Sequence, residues 1–112
     1  HVAPLTFARW LASFDPNHPD DAAFIGSLPT PGEGTLSKRF RKSDLSGTTV
    51  MAKSGYLNGV CSLSGYVFAP DGRRLVFSII VNDPRTPAST AKLMQEKIVE
   101  RLSSSLSALA RG

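Results

Sequence analysis

The sequence predicts an α+β fold in which three antiparallel strands pack against a long C-terminal helix. Three observations carry this reading. Runs rich in β-branched and aromatic residues cluster between residues 48 and 82. The last two runs are joined by Ala69-Pro70-Asp71-Gly72, a tight-turn signal in which Gly supplies a positive φ. From 88 to 110, apolar residues recur at helical spacing. With 112 residues, 41% hydrophobic and 20% charged, the chain has the size and composition of one globular domain, which disfavours disordered, collagen-like and coiled-coil classes. The domain is read as helix and connector over 1–47, strands over 48–82 and the closing helix over 88–110.

In chain order, Leu5, Ala8, Leu11 and Ala12 have helical spacing behind Pro4, which suits a first turn because its missing N–H costs nothing there. Trp10 and Phe14 of that helix are expected in the core. The prolines and Asn of 15–21 form a loop, and Asp20 or Asp21 is expected to cap a short helix through Ala22, Phe24 and Ile25, ended by Gly26. Prolines and glycines over 28–34 predict irregular chain, and Thr35 a turn or two of helix reaching Phe40, with little core of its own. Strands are predicted at 48–53, Val60–Phe68 and 74–82, with 55–59 joining the first two. The third is apolar on both faces, as expected of a strand covered on both sides. In the closing helix, capped by Ser89 or Thr90, the residues Ala91, Met94, Ile98, Leu102, Leu106 and Leu109 are expected to face the sheet, with Gln95, Glu96, Lys97, Glu100 and Arg101 opposite.

Charge and special residues narrow the function classes. The net charge of +4 is spread out except for Lys38, Arg39, Arg41 and Lys42, which read as a solvated loop able to meet an anion; no long basic stripe with stacking aromatics indicates nucleic acid. No apolar run approaches the roughly 20 residues of a membrane span. His1-Val2-Ala3-Pro4 has neither initiator Met nor signal-peptide character. Cys61 is single and reads as a small buried hydrophobe rather than a nucleophile. His18 with Asp15, Asp20 and Asp21 reads as a solvated cap region rather than a metal cluster, and no metal site is expected.

The sharpest local feature is Lys53-Ser54-Gly55-Tyr56. A Lys and a hydroxyl on a strand edge, followed by a Gly that lets a ligand approach the backbone, suit an anionic carboxylate. The triad is followed by Leu57-Asn58-Gly59-Val60-Cys61-Ser62-Leu63-Ser64-Gly65-Tyr66-Val67 and by Asp71-Gly72-Arg73-Arg74-Leu75-Val76-Phe77-Ser78-Ile79-Ile80-Val81-Asn82; upstream stand Leu28-Pro29, Gly34-Thr35-Leu36 and Arg39-Phe40. With the closing amphipathic helix, this pattern resembles the C-terminal part of the penicillin-binding D-alanyl-D-alanine carboxypeptidases of the S13 serine peptidase family over nearly the whole chain.

The resemblance implies a β-lactamase/transpeptidase-like fold, of which these strands would be the C-terminal part, and a serine acyl-transfer site built from S-x-x-K, S-x-N and K-T-G motifs. Only the third is matched, as Lys53-Ser54-Gly55, with Ser54 in place of Thr. Ser89 followed by Lys92 fits S-x-x-K in spacing, but its place after the triad makes it a helix cap, so the nucleophile and base are expected outside this chain. By analogy, Lys53 and Ser54 bind the carboxylate of a D-Ala-D-Ala peptide or a β-lactam, and the Tyr56 N–H is one oxyanion-hole donor. The implied protein hydrolyses peptidoglycan peptides as a carboxypeptidase or endopeptidase, is acylated by penicillins, needs no cofactor, and is periplasmic or extracytoplasmic. The chain alone is expected to be inactive and to pair with the N-terminal part of the same protein or with itself, because the third strand would have a bare edge. The alternative is a non-catalytic relative that binds peptidoglycan or serves assembly.

Overall fold

The computed structural model describes residues 4–111; His1, Val2 and Ala3, on which the reading of the N-terminus rested, lie outside the described residues. Helices α1 (Pro4–Ala12) and α2 (Pro19–Gly26) precede a 3-10 turn (Gly34–Leu36), strands β1 (Thr49–Leu57), β2 (Val60–Phe68) and β3 (Arg74–Val81), and the helix α3 (Ala88–Arg111). The strands form one antiparallel sheet in the order β1-β2-β3, as the α+β reading expects. No strand pairs with the outer edge of β3 among the described residues.

β1 is longer than predicted and runs through the triad to Leu57, which pairs with Val60. The connection is therefore the two-residue turn Asn58-Gly59, with φ of 52° and 78°, rather than 55–59. Two successive positive φ values define the hairpin turn whose twist matches the strands, and Asn-Gly is the pair that adopts it most readily. Across the sheet, Gly65 faces Ala52 so closely that a Cβ there would lie 2.1 Å from the Met51 carbonyl oxygen. Only glycine allows the two backbones this approach.

Each sheet face has its own core. On one, Val50, Ala52, Leu63, Val67 and Phe77 pack with Val99 and Leu106 of α3. Leu36 and Phe40 join them, so the connector supplies core that its composition did not announce. On the other, Tyr66, Met51 and Val76 meet Phe7, Leu11, Phe24 and Ile25 of the first two helices. There Leu11 is buried while Leu5 and Ala12 are exposed, which rotates the contact face of α1 from the predicted one. Trp10 is 49% exposed, not core; its ring packs edge-on against Phe7, Phe14 and Phe24 at 5.0–5.7 Å.

Polar groups tie these layers together. The Tyr66 hydroxyl donates to the Leu11 carbonyl at 2.6 Å, and burial pushes its pKa above 10.0 against the opposing pull of Arg74. Arg74 donates to the carbonyls of Ala12 and Phe14, closing the C-terminal end of α1. The N-cap of α2 is His18, not Asp20 or Asp21: its Nδ1 accepts the Asp20 N–H at 3.3 Å, and Pro19 opens the helix.

Helix α3 starts at Ala88, so Ser89 and Thr90 lie in its first turn rather than at the cap. Its inward stripe is Ala91, Gln95, Val99, Ser103 and Leu106, whereas Met94, Ile98 and Leu109 are exposed. Gln95 and Glu96, expected on the solvent side, are buried. The cause is specific hydrogen bonding: Gln95 Nε2 donates to the Cys61 carbonyl at 3.0 Å and to the Ile79 carbonyl at 3.3 Å, and Glu96 accepts from Arg39 at 2.6 Å. A polar side chain with its partners built in outcompetes Met94 for the interior position.

Candidate active site

Lys53, Ser54, Gly55 and Tyr56 lie within β1, not at its end, and are held by pairing with Ser64, Leu63, Ser62 and Cys61 of β2. The outer edge of β1 is identified by the Ala52 N–H, which donates to the Pro29 carbonyl at 2.9 Å on the side away from β2. Antiparallel pairing alternates the direction of successive backbone groups. The N–H groups of Ser54 and Tyr56 therefore face the same outer edge, beyond the point where the Pro29 loop covers it. Among the described residues neither has a partner there. Lys53, Gly55 and the Tyr56 side chain are exposed, and Ser54 is half-buried.

The face beside Lys53 is polar where its surroundings are apolar. Lys53, Ser64 and Ser78 stand opposite one another across the three strands, and the two serine hydroxyls lie 2.9 Å apart. Ser62 faces Gly55 and donates to its carbonyl at 3.4 Å. With Phe7, Ser54 and Ile80 these residues line a cavity of about 190 Å³. The Lys53 ammonium donates to the Ser54 carbonyl on the outer edge. Chemically, the arrangement offers one cation, several hydroxyls and two edge N–H groups to an extended anionic ligand. The serine row was missed from the sequence, although Ser62 and Ser64 alternate with Cys61 and Leu63 and so announce one polar face of β2.

The other candidates stand apart from this cavity. Ser89 and Lys92 line a different one, formed by α3 and the basic connector, so this S-x-x-K spacing is not joined to Lys53. Cys61 is buried, with its Sγ 3.7 Å from Gln95 Oε1. Asp21 accepts the Asp15 N–H at 2.9 Å and His18 is spent on its cap, and among the described residues no three His, Cys, Asp or Glu side chains converge on a metal position. No described helix is long and apolar enough to cross a membrane.

Comparison with known proteins adds to this geometry. The profile of the D-Ala-D-Ala carboxypeptidase 3 (S13) family matches residues 1–105. The chain belongs to that family. It is also 44% identical over 82 residues to the D-alanyl-D-alanine carboxypeptidase of Actinomadura sp. (strain R39). That match covers 68% of this chain and 14% of the relative, so this S13 chain spans about a seventh of the relative's length. The triad strand, the serine row and the Asn58-Gly59 hairpin all fall inside the span matched to the S13 family.

Proposed function

We propose that the chain is the C-terminal part of a serine-type D-Ala-D-Ala carboxypeptidase or endopeptidase that acts on cell-wall peptides outside the cytoplasmic membrane. Lys53 and Ser54 bind the carboxylate of the peptide, or of a penicillin, through charge-assisted hydrogen bonds. The peptide lies along the outer edge of β1 as an added strand, and the Tyr56 N–H points at its reacting carbonyl as one oxyanion donor. The nucleophile, on a segment outside this chain, attacks that carbonyl. The peptide C–N bond breaks, the leaving D-Ala amine takes up a proton, and water then hydrolyses the acyl-serine ester. A penicillin is opened in the same way and stays as an ester.

One observation carries the reading: in a chain of this family, an exposed Lys53 stands beside two outward-facing N–H groups on an unpaired strand edge. The test is intact-mass spectrometry of the natural full-length protein after timed exposure to benzylpenicillin, followed by mapping of the adduct. The wild type is expected to carry one penicilloyl group on a serine outside residues 1–112. Lys53→Ala is expected to slow acylation by about 10- to 100-fold, the loss of one charged hydrogen bond worth about 1.5–3 kcal/mol. An adduct on a residue of this chain, or a wild-type rate in Lys53→Ala, refutes the proposal.

A further inference from the structure

A second cavity, of about 760 Å³, lies between the loop following the 3-10 turn and the N-terminal half of α3, and shares no residue with the cavity beside Lys53. Six cations line it: Lys38, Arg39, Arg41, Lys42, Lys92 and Lys97. The acidic residues there are Glu96 and Glu100. Of the thirteen Lys and Arg in the chain, seven lie elsewhere, and of the nine Asp and Glu, seven lie elsewhere, so the net charge of +4 resides at this groove. Arg39 and Glu96 neutralise each other in a buried pair at 2.6 Å. The other five cations are exposed and have no salt-bridge partner among the described residues.

The groove is built rather than incidental. The Glu96 carboxylate accepts from Arg39 Nε with one oxygen and from the Phe40 N–H, at 3.1 Å, with the other. Arg39 also donates to the Lys92 carbonyl and to Gln95 Oε1. Phe40 has a φ of 62°, left-handed backbone that a bulky residue adopts only where its surroundings over-determine it. This pin holds the middle of the loop against α3, so Lys38 before it and Arg41 and Lys42 after it line one groove with Lys92 and Lys97.

We infer that this groove binds an extended phosphate-bearing polyanion, a chain of phosphodiester-linked units without bases. Its volume exceeds that of a single inorganic anion, and the five exposed cations that line it can meet several charges of one strand. Guanidinium and ammonium groups both suit phosphate oxygens. A concave site admits a polymer strand where a flat membrane surface cannot enter. Among the described residues no aromatic side chain lines it, so they offer no platform on which a nucleobase could stack.

The test is fluorescence anisotropy with the natural full-length protein and labelled poly(glycerol phosphate), between 50 and 200 mM salt. Poly-glutamate and phosphatidylglycerol vesicles serve as carboxylate and membrane arms. Binding is expected with a log–log salt slope of about −3.5, from five cations at about 0.7 each. Arg41→Ala/Lys42→Ala or Lys92→Ala/Lys97→Ala is expected to weaken it at least tenfold and to flatten the slope by about 1.4. Absence of binding at the lower salt, or unchanged binding when all four residues are alanine, overturns the inference. Equal affinity for poly-glutamate refutes phosphate recognition, and tighter binding to the vesicles refutes the polymer in favour of a lipid surface.

Discussion

Replacing Glu96 by Ala tests the element that joins the connector to α3. In the native chain Arg39 is 7% exposed and bonded to the carboxylate at 2.6 Å, and the Phe40 N–H, also buried, has Glu96 as its acceptor. Removing one partner of a buried ion pair costs about 3–5 kcal/mol because the other charge stays behind without compensation. An orphaned buried N–H costs about 1–3 kcal/mol. The two losses overlap, since relaxation that rehydrates Arg39 also frees Phe40, so about 4 kcal/mol is expected in total. At 1.4 kcal/mol per tenfold, this is between two and three decades of local opening. Hydrogen exchange at the Phe40 amide, followed by mass spectrometry on the natural protein, reads that opening without requiring two-state unfolding of a larger chain. The double replacement Arg39→Met/Glu96→Leu is expected to recover most of the protection, because no charge is then left buried. Less than a threefold change in Glu96→Ala, or a double variant as open as the single, refutes the claim that this pair pins the loop.

Other consequences follow from the sheet and its supports. Gly65→Ala places a Cβ 2.1 Å from the Met51 carbonyl oxygen and 2.6 Å from the Ala52 Cα, neither of which can yield as a side chain would. It is expected to cost at least the upper end of the about 1–3 kcal/mol typical of overpacking, read as a lower melting temperature, and to slow penicillin acylation by displacing β1. Gly59→Val, at φ 78°, is expected to cost about 1–2 kcal/mol by the same measurement, confined to the hairpin. Tyr66 holds its proton more tightly when folded, so its stabilisation is complete below pH 10.0, the unfolded value, and is lost as pH rises through the higher folded pKa. A denaturation series is expected to show this alkaline decline in the wild type and a shallower one in Tyr66→Phe. Ser103→Ala is expected to raise stability by about 0.5 kcal/mol or more, because the Ser103 hydroxyl is buried with no partner among the described residues and Ala is the better helix former.

The strands and their order were legible because the signals of strand and turn are local: alternation over β1 and β2, an apolar run for β3, and Pro-Asp-Gly between the last two. Asn58-Gly59 is an equally local turn signal, but Gly55 upstream of it also reads as a strand end, and only the pairing of Ser54 to Leu57 with Val60 to Leu63 shows that β1 continues past Lys53. The phase of α3 was not legible from hydropathy. Gln95 and Ser103 occupy interior positions, and only the location of the Cys61 and Ile79 carbonyls, a tertiary fact, makes Gln95 fit there. Leu36 and Phe40 were hidden for a related reason, since their burial depends on Arg39 finding Glu96, 57 residues away in sequence.

The candidate site was legible as residues but not as a surface. Lys53-Ser54-Gly55 is contiguous, whereas the serine row beside it is assembled across strands, one residue at a time, by the register Lys53, Ser64, Ser78. Lys53 and the Tyr56 N–H lie three residues apart on one strand whose register is set by pairing with β2, so their relative position is set within the hairpin. What β2 cannot fix is the distance from this edge to the proposed nucleophile. If that distance is set through α1 and α2, which cover the same sheet face as Lys53, then loosening their aromatic cluster by Trp10→Ala should slow acylation while leaving β1 intact. If it is set elsewhere, acylation should stay at the wild-type rate, and hydrogen exchange across β1, read in the same samples, separates this from simple unfolding of the sheet.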